Sequence, residues 1–342
     1  MNFELDEDTL LLRDSVRELG KQKAETVREW ESARTLPGDW ITELEEMGLL
    51  AMRVPEDDGG AGLSTLAALA VLQELGAFCA STALSVAVHN MVGLGLGLGP
   101  AGEGSSGLIG MARGLEATPS SDGFTLRGTD RVAIGATGAP RLAVVATVQG
   151  VDTPMLVPRT EALEGARSRT LGLRAADIGS VSFEGSGARA LPGDLQTVQT
   201  DLRLALGFIA AGIGRAALAE GTSYAMERQQ FGKPIAKFQA IQWKLADLAT
   251  GLDAAELMLG LAAASTEPGR PAAAARATLA AVQAVTVGCS EMLQIHGGYG
   301  YTEEYAVERL YRDAKAVALY AGVRSEARTA VADGILARFA AG

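Results

Sequence analysis

Two cysteines and two histidines are all that this 342-residue chain holds of the usual disulfide-forming and metal-binding side chains. Cys79 and Cys289 stand far apart, which excludes a disulfide framework, and with His89 and His296 they do not make a zinc set. Both cysteines are expected to be buried and inert, since no basic helix end activates them. Basic residues are scarce as well: 30 against 41 acidic, a net charge of −11. That sign excludes a binder of duplex nucleic acid or of an anionic membrane surface. Charge or glycines interrupt the longest apolar runs, so no spanning helix of ~20 residues is expected. No basic, apolar, small-residue leader follows Met1, so the expected location is the cytosol. Aromatics make up 5% of the chain, and Trp30, Trp40 and Trp243 are expected to pack between helices.

What is present is length and hydrophobicity. The chain is 48% hydrophobic, enough for two or three structural units around a large core. From Phe3 to about Leu98 the pattern is helical: Leu10, Leu11, Val16 and Leu19 recur at three- and four-residue spacing. Pro37-Gly38 breaks the chain, Asp39-Trp40-Ile41 starts another helix, residues 54–60 form a turn cluster, and Ser64 caps the next helix. Between about Ser106 and Pro192 short strand-like runs alternate with Gly, Pro, Asp and Ser, the pattern of an antiparallel barrel or sandwich. From Asp201 onward the pattern is helical again, with a break at Pro234, a loop at 267–271, an alanine-rich helix over 272–293 and a turn at Gly297–Gly300. Thr302 is the expected cap of the run through Tyr311 and Lys315. The domain boundaries read from this are 1–105, 106–195 and 196–342.

Two stretches carry chemistry. In Glu227-Arg228-Gln229-Gln230-Phe231-Gly232-Lys233-Pro234, an arginine beside a Phe-Gly turn offers a fork of donors suited to phosphate oxygens. Gln239, eleven residues beyond Arg228, can hydrogen-bond a sugar or base. In Gln294-Ile295-His296-Gly297-Gly298-Tyr299-Gly300, paired glycines after a helix allow close backbone approach to a ligand. Each stretch alone is read as well as a structural turn.

Together, and in this order of helices and strands, they resemble the acyl-CoA dehydrogenase family. Val54-Pro55-Glu56-Asp57-Asp58-Gly59-Gly60, Leu171-Gly172-Leu173-Arg174 and Leu310-Tyr311-Arg312-Asp313-Ala314-Lys315 extend the resemblance over nearly the whole chain. It implies a helical N-terminal domain, a middle β-barrel and a C-terminal four-helix bundle, assembled as a dimer of dimers. It also implies FAD, an acyl-CoA thioester and reoxidation by an electron-transfer flavoprotein. By residue, it assigns Arg228 to the FAD pyrophosphate across the subunit interface. Phe231 and Gln239 fall to the ADP half, and so do Gln294, Gly297 and Gly298. Arg203 and Tyr320 fall at the acyl-CoA cleft. His296 is expected to be a partly exposed turn residue, and Arg312 and Asp313 to brace helices.

The pattern then breaks. The family's base is the Glu of Tyr-Glu-Gly-Thr; here the segment is Tyr320-Ala321-Gly322-Val323, and Ala321 cannot take a proton. The alternative place for that Glu, on the first helix of the bundle, falls on Leu202. Asp201 is adjacent, but one residue turns a side chain by ~100° around a helix, so it is a weak substitute that helix capping explains as well. Glu326 is a poor candidate too. The Thr-Glu-Pro segment that holds the flavin ring has no counterpart between Leu108 and Thr125. The ring-contacting Trp-Ile-Thr is replaced by Ala133-Ile134-Gly135.

What is kept binds the ADP end of FAD, which in this family belongs to the neighbouring subunit's site. What is lost serves a chain's own ring and base. The expected function is therefore the subunit without a catalytic Glu in a heteromeric acyl-CoA dehydrogenase. Family members with one short and one long subunit that act on steroid side-chain thioesters point to a bulky acyl group in lipid metabolism. The alternatives are a self-sufficient homotetramer with a relocated base, a flavin-free assembly subunit, and a different flavin reaction.

Overall fold

A computed structural model describes residues 5–98, 107–159, 163–320 and 325–340. Five helices come first: α1 (Glu7–Gln22), α2 (Ala24–Ala33), α3 (Gly38–Glu46), α4 (Thr65–Phe78) and α5 (Ala80–Ala87). Their ends follow local chemistry. Asp6 caps α1 by accepting the Thr9 N–H at 2.7 Å, and Ser64 caps α4 as expected, accepting from Ala67 at 3.2 Å. Trp30 and Trp40 are buried with ring centroids 4.9 Å apart, and the Trp40 indole donates to the Thr82 hydroxyl at 3.0 Å. Trp243 departs from expectation: it is 61% exposed on the bundle surface. Cys79 and Cys289 are free and buried, and burial raises both thiols, Cys289 to about 12.

The strands are β1 (Gly110–Ser120), β2 (Gly123–Ile134), β3 (Arg141–Val148), β4 (Val151–Pro158), β5 (Glu164–Arg167) and β6 (Ile178–Ala190). They form one six-stranded sheet in the order β2-β1-β3-β4-β6-β5, with a further β2–β6 pairing. The expected barrel is not what forms. β4 meets β6 through two residue pairs only, Met155 with Ala190 and Leu156 with Arg189, too short a ladder to carry the sheet around. Nor is the sheet wholly antiparallel, because β1 and β3 run parallel from Gly110↔Leu142 to Glu116↔Thr147.

The bundle consists of α6 (Leu195–Glu227), α7 (Gln239–Ala264), α8 (Arg270–His296) and α9 (Ala306–Tyr320), with α10 (Glu326–Ala340) against α8. Between α6 and α7 lies a hairpin of β7 (Gln229–Gln230) and β8 (Lys233–Pro234). By length and composition alone the segments Leu195–Glu227 and Arg270–Tyr301 could cross a membrane, contrary to the sequence expectation. In the fold they spend that apolar surface inside the bundle: 67% and 50% of their most apolar stretches are buried. A Cβ on Gly212 would run into the Gln73 carbonyl, so α4 and α6 cross at glycine-to-backbone contact. Thr302 does not cap α9; its hydroxyl donates back to the Tyr299 carbonyl at 2.8 Å.

Arg312 and Asp313 brace helices as expected. Arg312, 6% exposed, reaches Glu31 of α2 at 2.8 Å and Glu308 at 2.7 Å. Asp313 accepts the Leu173 N–H at 2.7 Å, which holds Leu173 at φ 54°. Burial, with Glu31 adding to it, pushes the Asp313 carboxyl up to about 6. A carboxyl raised in the folded state binds its proton more firmly than in the unfolded chain. Stability from this group is therefore full below about pH 4 and is lost as pH rises through 6. Asp313→Asn keeps an oxygen for Leu173 but cannot ionise. The unfolding free energy of wild type relative to Asp313→Asn should fall between pH 4 and 6, as measured by urea titration at stepped pH.

Candidate functional site

Two concavities collect the residues singled out in the sequence. The first is at one end of the bundle. Arg228 ends α6, its backbone N–H bonded to the Tyr224 carbonyl at 2.9 Å. The next residues form the β7–β8 hairpin, whose two-residue turn puts Phe231 (φ 54°) and Gly232 (φ 78°) in the left-handed region. Two positive φ values in a two-residue loop are the twist-matched way to close a hairpin, and a Phe in that region is strained. Its ring is 92% exposed, edge-on to Phe238 at 6.2 Å, while the Lys233 ammonium sits 4.4 Å from the Phe238 ring centre.

On the facing side α8 ends at His296, and the Gly297 N–H bonds to the Gln294 carbonyl. Gly297 (φ 60°) opens a short turn over 297–301. A groove of about 600 Å³ brings Arg228, Gln230, Gly297 and Gly298 together beside Tyr224 and Tyr299. Phe231, Gln239 and Gln294 are exposed nearby but do not line it. A Cβ on Gly298 would meet nothing within 4 Å, and its φ is not positive. Neither packing nor backbone conformation demands glycine there.

His296 is not the partly exposed turn residue expected. It is 2% exposed, stacked on Tyr224 at 4.2 Å and edge-on to Tyr305 at 5.2 Å. Its Nδ1 lies 2.8 Å from the Met292 carbonyl, which places the proton on Nδ1. It packs this corner of the bundle at the wall of the groove, with its Nε2 buried and without a hydrogen-bond partner among the described residues.

The second concavity, a cleft of about 450 Å³, lies between β1, β3, the first turns of α6 and the end of α9. Arg203 and Tyr320 both line it, with Leu202 and Gln199 of α6, Met111 and Arg113 of β1, and Glu326. The Tyr320 hydroxyl donates to the Val132 carbonyl at 3.0 Å. Burial, then the charge of Asp130, push this phenol well above its usual range, so it stays a donor. Asp130 was not picked out from the sequence. It is 7% exposed and accepts the Arg113 N–H with one oxygen and the Val132 N–H with the other, each at 2.9 Å. It thereby pins the register shifts in β1 and β2, with Gly114 at φ 72°.

Asp201 does not reach the cleft. It is 2% exposed, one oxygen 2.7 Å from Arg53 and the other 2.6 Å from Arg270. Both oxygens are committed to guanidinium groups, which removes Asp201 as a relocated base. Nor is it a cap: Asp194 caps α6 by accepting the Thr197 N–H at 2.9 Å. The side chain turned toward the cleft is the next one, Leu202, which has no proton acceptor. The carboxylates that do line the cleft are Asp152, held by the Thr147 hydroxyl at 2.9 Å, and Glu326, 61% exposed and 4.0 Å from Arg113. Ala321, Gly322 and Val323 lie outside the described residues.

Comparison with known proteins decides the family. Residues 6–99 match the acyl-CoA dehydrogenase N-terminal domain and 196–336 the acyl-CoA dehydrogenase C-terminal domain. The bovine (Bos taurus) mitochondrial short-chain specific acyl-CoA dehydrogenase is 30% identical over 98% of this chain and 92% of its own. The chain belongs to the acyl-CoA dehydrogenase family. Butyryl-CoA dehydrogenase from Megasphaera elsdenii superposes with a TM-score of 0.89 at 25% identity, over 98% of this chain and 100% of that one. The Tcur3481-Tcur3483 steroid ACAD, in a variant form, gives 0.84 at 27%, over 98% and 99%. The family's reaction is FAD-dependent dehydrogenation of an acyl-CoA at a CH–CH bond, and FAD is the cofactor.

The residues singled out for that cofactor lie in two parts of this acyl-CoA dehydrogenase. The nucleotide end fits: Arg228 supplies paired donors, and the bare Gly297-Gly298 backbone leaves room where side chains would project. At the other end, Ala133 and Gly135 stand where the resemblance places an aromatic and a hydroxyl against the flavin ring. Ala133 is 1% exposed and faces the sheet's core. Gly135 stands at φ 74°, where a Cβ would come within 2.5 Å of Ala139 and 2.9 Å of Gly110, so no hydroxyl-bearing side chain has space there.

Asp201→Asn leaves two arginines facing a neutral amide at a joint between the N-terminal helices and the bundle. The expected loss is about 3 kcal/mol of stability, read from denaturant unfolding. Any oxidase or dehydrogenase turnover should fall only in proportion to the folded fraction.

Proposed function

We infer that this chain is the nucleotide-clamping subunit of a heteromeric acyl-CoA dehydrogenase, working on the flavin of a full-length partner. The observation that carries this reading is the inequality between the two ends of the cofactor site. Arg228, Gly297 and Gly298 form an outward-facing groove. At the other end Ala133 and Gly135 stand where the resemblance places an aromatic and a hydroxyl against the flavin ring, and Leu202 and Ala321 stand at the two family positions for the base.

When bound, FAD supplies the acceptor for the hydride that leaves the thioester's β-carbon. This chain's residues do other work. The Arg228 guanidinium neutralises and orients diphosphate oxygens, and its fixed fork makes it better suited than a lysine. The Gly297-Gly298 backbone approaches the nucleotide closely. Phe231, apolar and exposed, is placed to be covered by the partner. The proton acceptor at the thioester's α-carbon comes from the partner, because Leu202 occupies one of the two family positions for it here and Ala321 the other. The partner also passes electrons to an electron-transfer flavoprotein. A bulky acyl group, such as a steroid side-chain thioester, is the substrate class in keeping with the steroid ACAD among the structural neighbours.

The test is to purify the chain alone and together with its full-length partner, then compare visible flavin absorbance and acyl-CoA oxidation. One flavin per pair, with activity only in the pair, is expected. Full flavin loading and turnover by the lone chain would overturn the reading, and no flavin in either preparation would favour an assembly subunit. In the pair, Arg228→Ala should weaken flavin retention about tenfold or more, measured by flavin released on gel filtration. Restoring the acid by Ala321→Glu should leave the lone chain at background activity, because a base without a seated ring has no hydride acceptor beside it.

A further inference from the structure

The groove at the end of the bundle offers two polar contacts of opposite kind. Arg228 is donor-only and suits phosphate oxygens. His296, in the same wall, is the reverse. Its Nδ1–H is committed to the Met292 carbonyl at 2.8 Å, so Nε2 carries a lone pair and can only accept. Tyr224 and Tyr305 lie against the ring, with centroids 4.2 and 5.2 Å away. Neither hydroxyl donates to it, and among the described residues Nε2 has no hydrogen-bond partner. The Thr302 hydroxyl, also at the groove, is given to the Tyr299 carbonyl at 2.8 Å. A buried acceptor without a donor destabilises the fold that keeps it. This one stands at a ligand-sized groove, and the two residues that follow it, Gly297 and Gly298, leave the backbone there bare. Inorganic diphosphate satisfies Arg228 but brings no strong donor for Nε2. A nucleotide brings both, through its diphosphate and through its sugar hydroxyls and base amino group.

We propose that His296 is the nucleotide-reading residue of this groove: its Nε2 accepts a hydrogen bond from a sugar hydroxyl or the base amino group of the molecule whose diphosphate lies on Arg228. The inference rests on the reading of the groove as a nucleotide clamp, and it supplies a contact that tells a nucleotide from any other diphosphate. The ring faces pack the bundle and the ring edge reads the guest. Because Met292 fixes the tautomer beforehand, no proton has to move on binding.

The chain has two histidines, His89 and His296, so nitrogen NMR of the full chain labelled at histidine reports two rings, assigned with His296→Phe. That variant keeps a ring against Tyr224 and removes the acceptor. Wild type, His296→Phe and Arg228→Ala are titrated with ADP, with IDP, with 2′-deoxy-ADP and 3′-deoxy-ADP, and with inorganic pyrophosphate. ADP should move the Nε2 signal from a free to a hydrogen-bonded acceptor while Nδ1 stays protonated, and pyrophosphate should move neither. His296→Phe should weaken ADP about tenfold at a melting temperature no lower than wild type's, and leave pyrophosphate binding unchanged. His296→Gln, whose side-chain carbonyl can stand in for the lone pair, should recover part of the ADP affinity. Loss of the Nε2 response with IDP would identify the amino group as the donor; loss with a deoxynucleotide would identify the missing hydroxyl. ADP that is weakened by Arg228→Ala, yet leaves Nε2 unmoved and binds His296→Phe equally well, overturns the role of His296 and leaves the clamp standing. A shift as large with pyrophosphate, or protonation of both nitrogens, overturns it too, because the ring then serves phosphate as a donor. No binding of ADP or pyrophosphate by wild type overturns the clamp, and this inference with it.

Discussion

Asp130 holds two backbone amides from two neighbouring strands, and the shape of the central cleft follows from that. A carboxylate that is nearly buried and accepts the N–H groups of both Arg113 and Val132 stitches β1 to β2 at a place where their ladder would otherwise open. Tyr320 then closes on the Val132 carbonyl from the end of α9, so the bundle and the sheet meet through protein hydrogen bonds there.

Much of this was legible in the residues. Ser64 before an apolar run, Pro37-Gly38, and the alanine-rich stretch ending at Gly297 marked helix ends that the structure keeps within a few residues. Arg228 and the glycine pair converge on one groove, as two motifs with a common ligand should. Four things were not legible, each for a physical reason. The closure of a sheet depends on how many residues two strands share, and the two-pair contact of β4 with β6 leaves no trace in local pattern. His296 reads as a turn residue by position, but Tyr224 and Tyr305, remote in sequence, bury it. Trp243 reads as core by composition, yet lies on the outer face of α7. Asp201 was weighed as a base or a cap because its partners, Arg53 and Arg270, are 148 and 69 residues away.

That three-residue cluster also explains why the cleft is lined as it is. On a helix, adjacent side chains diverge by ~100°, so committing Asp201 to an interdomain ion pair turns Leu202 and Arg203 away from that joint and toward β1. An acid at 201 is thus held by the architecture, and the position facing the cleft is apolar. The chain's only route to a carboxylate near a bound thioester among the described residues runs through Asp152 or Glu326, both at the rim. A proton acceptor for a weakly acidic C–H must be positioned and shielded from water; a rim carboxylate 61% exposed beside Arg113 is neither.

The glycines separate the two ends of the cofactor site more sharply than the charged residues do. Gly135 is glycine for an internal reason: its backbone is left-handed and Ala139 and Gly110 crowd the space a side chain would need. Gly298 has no internal reason, because its φ is ordinary and the space is open. A residue kept bare where the fold itself would accept a Cβ points to something outside the fold that needs the room. Where the fold itself fills that room, no outside group is called for. By that criterion the surface groove beside Arg228 keeps room for a guest.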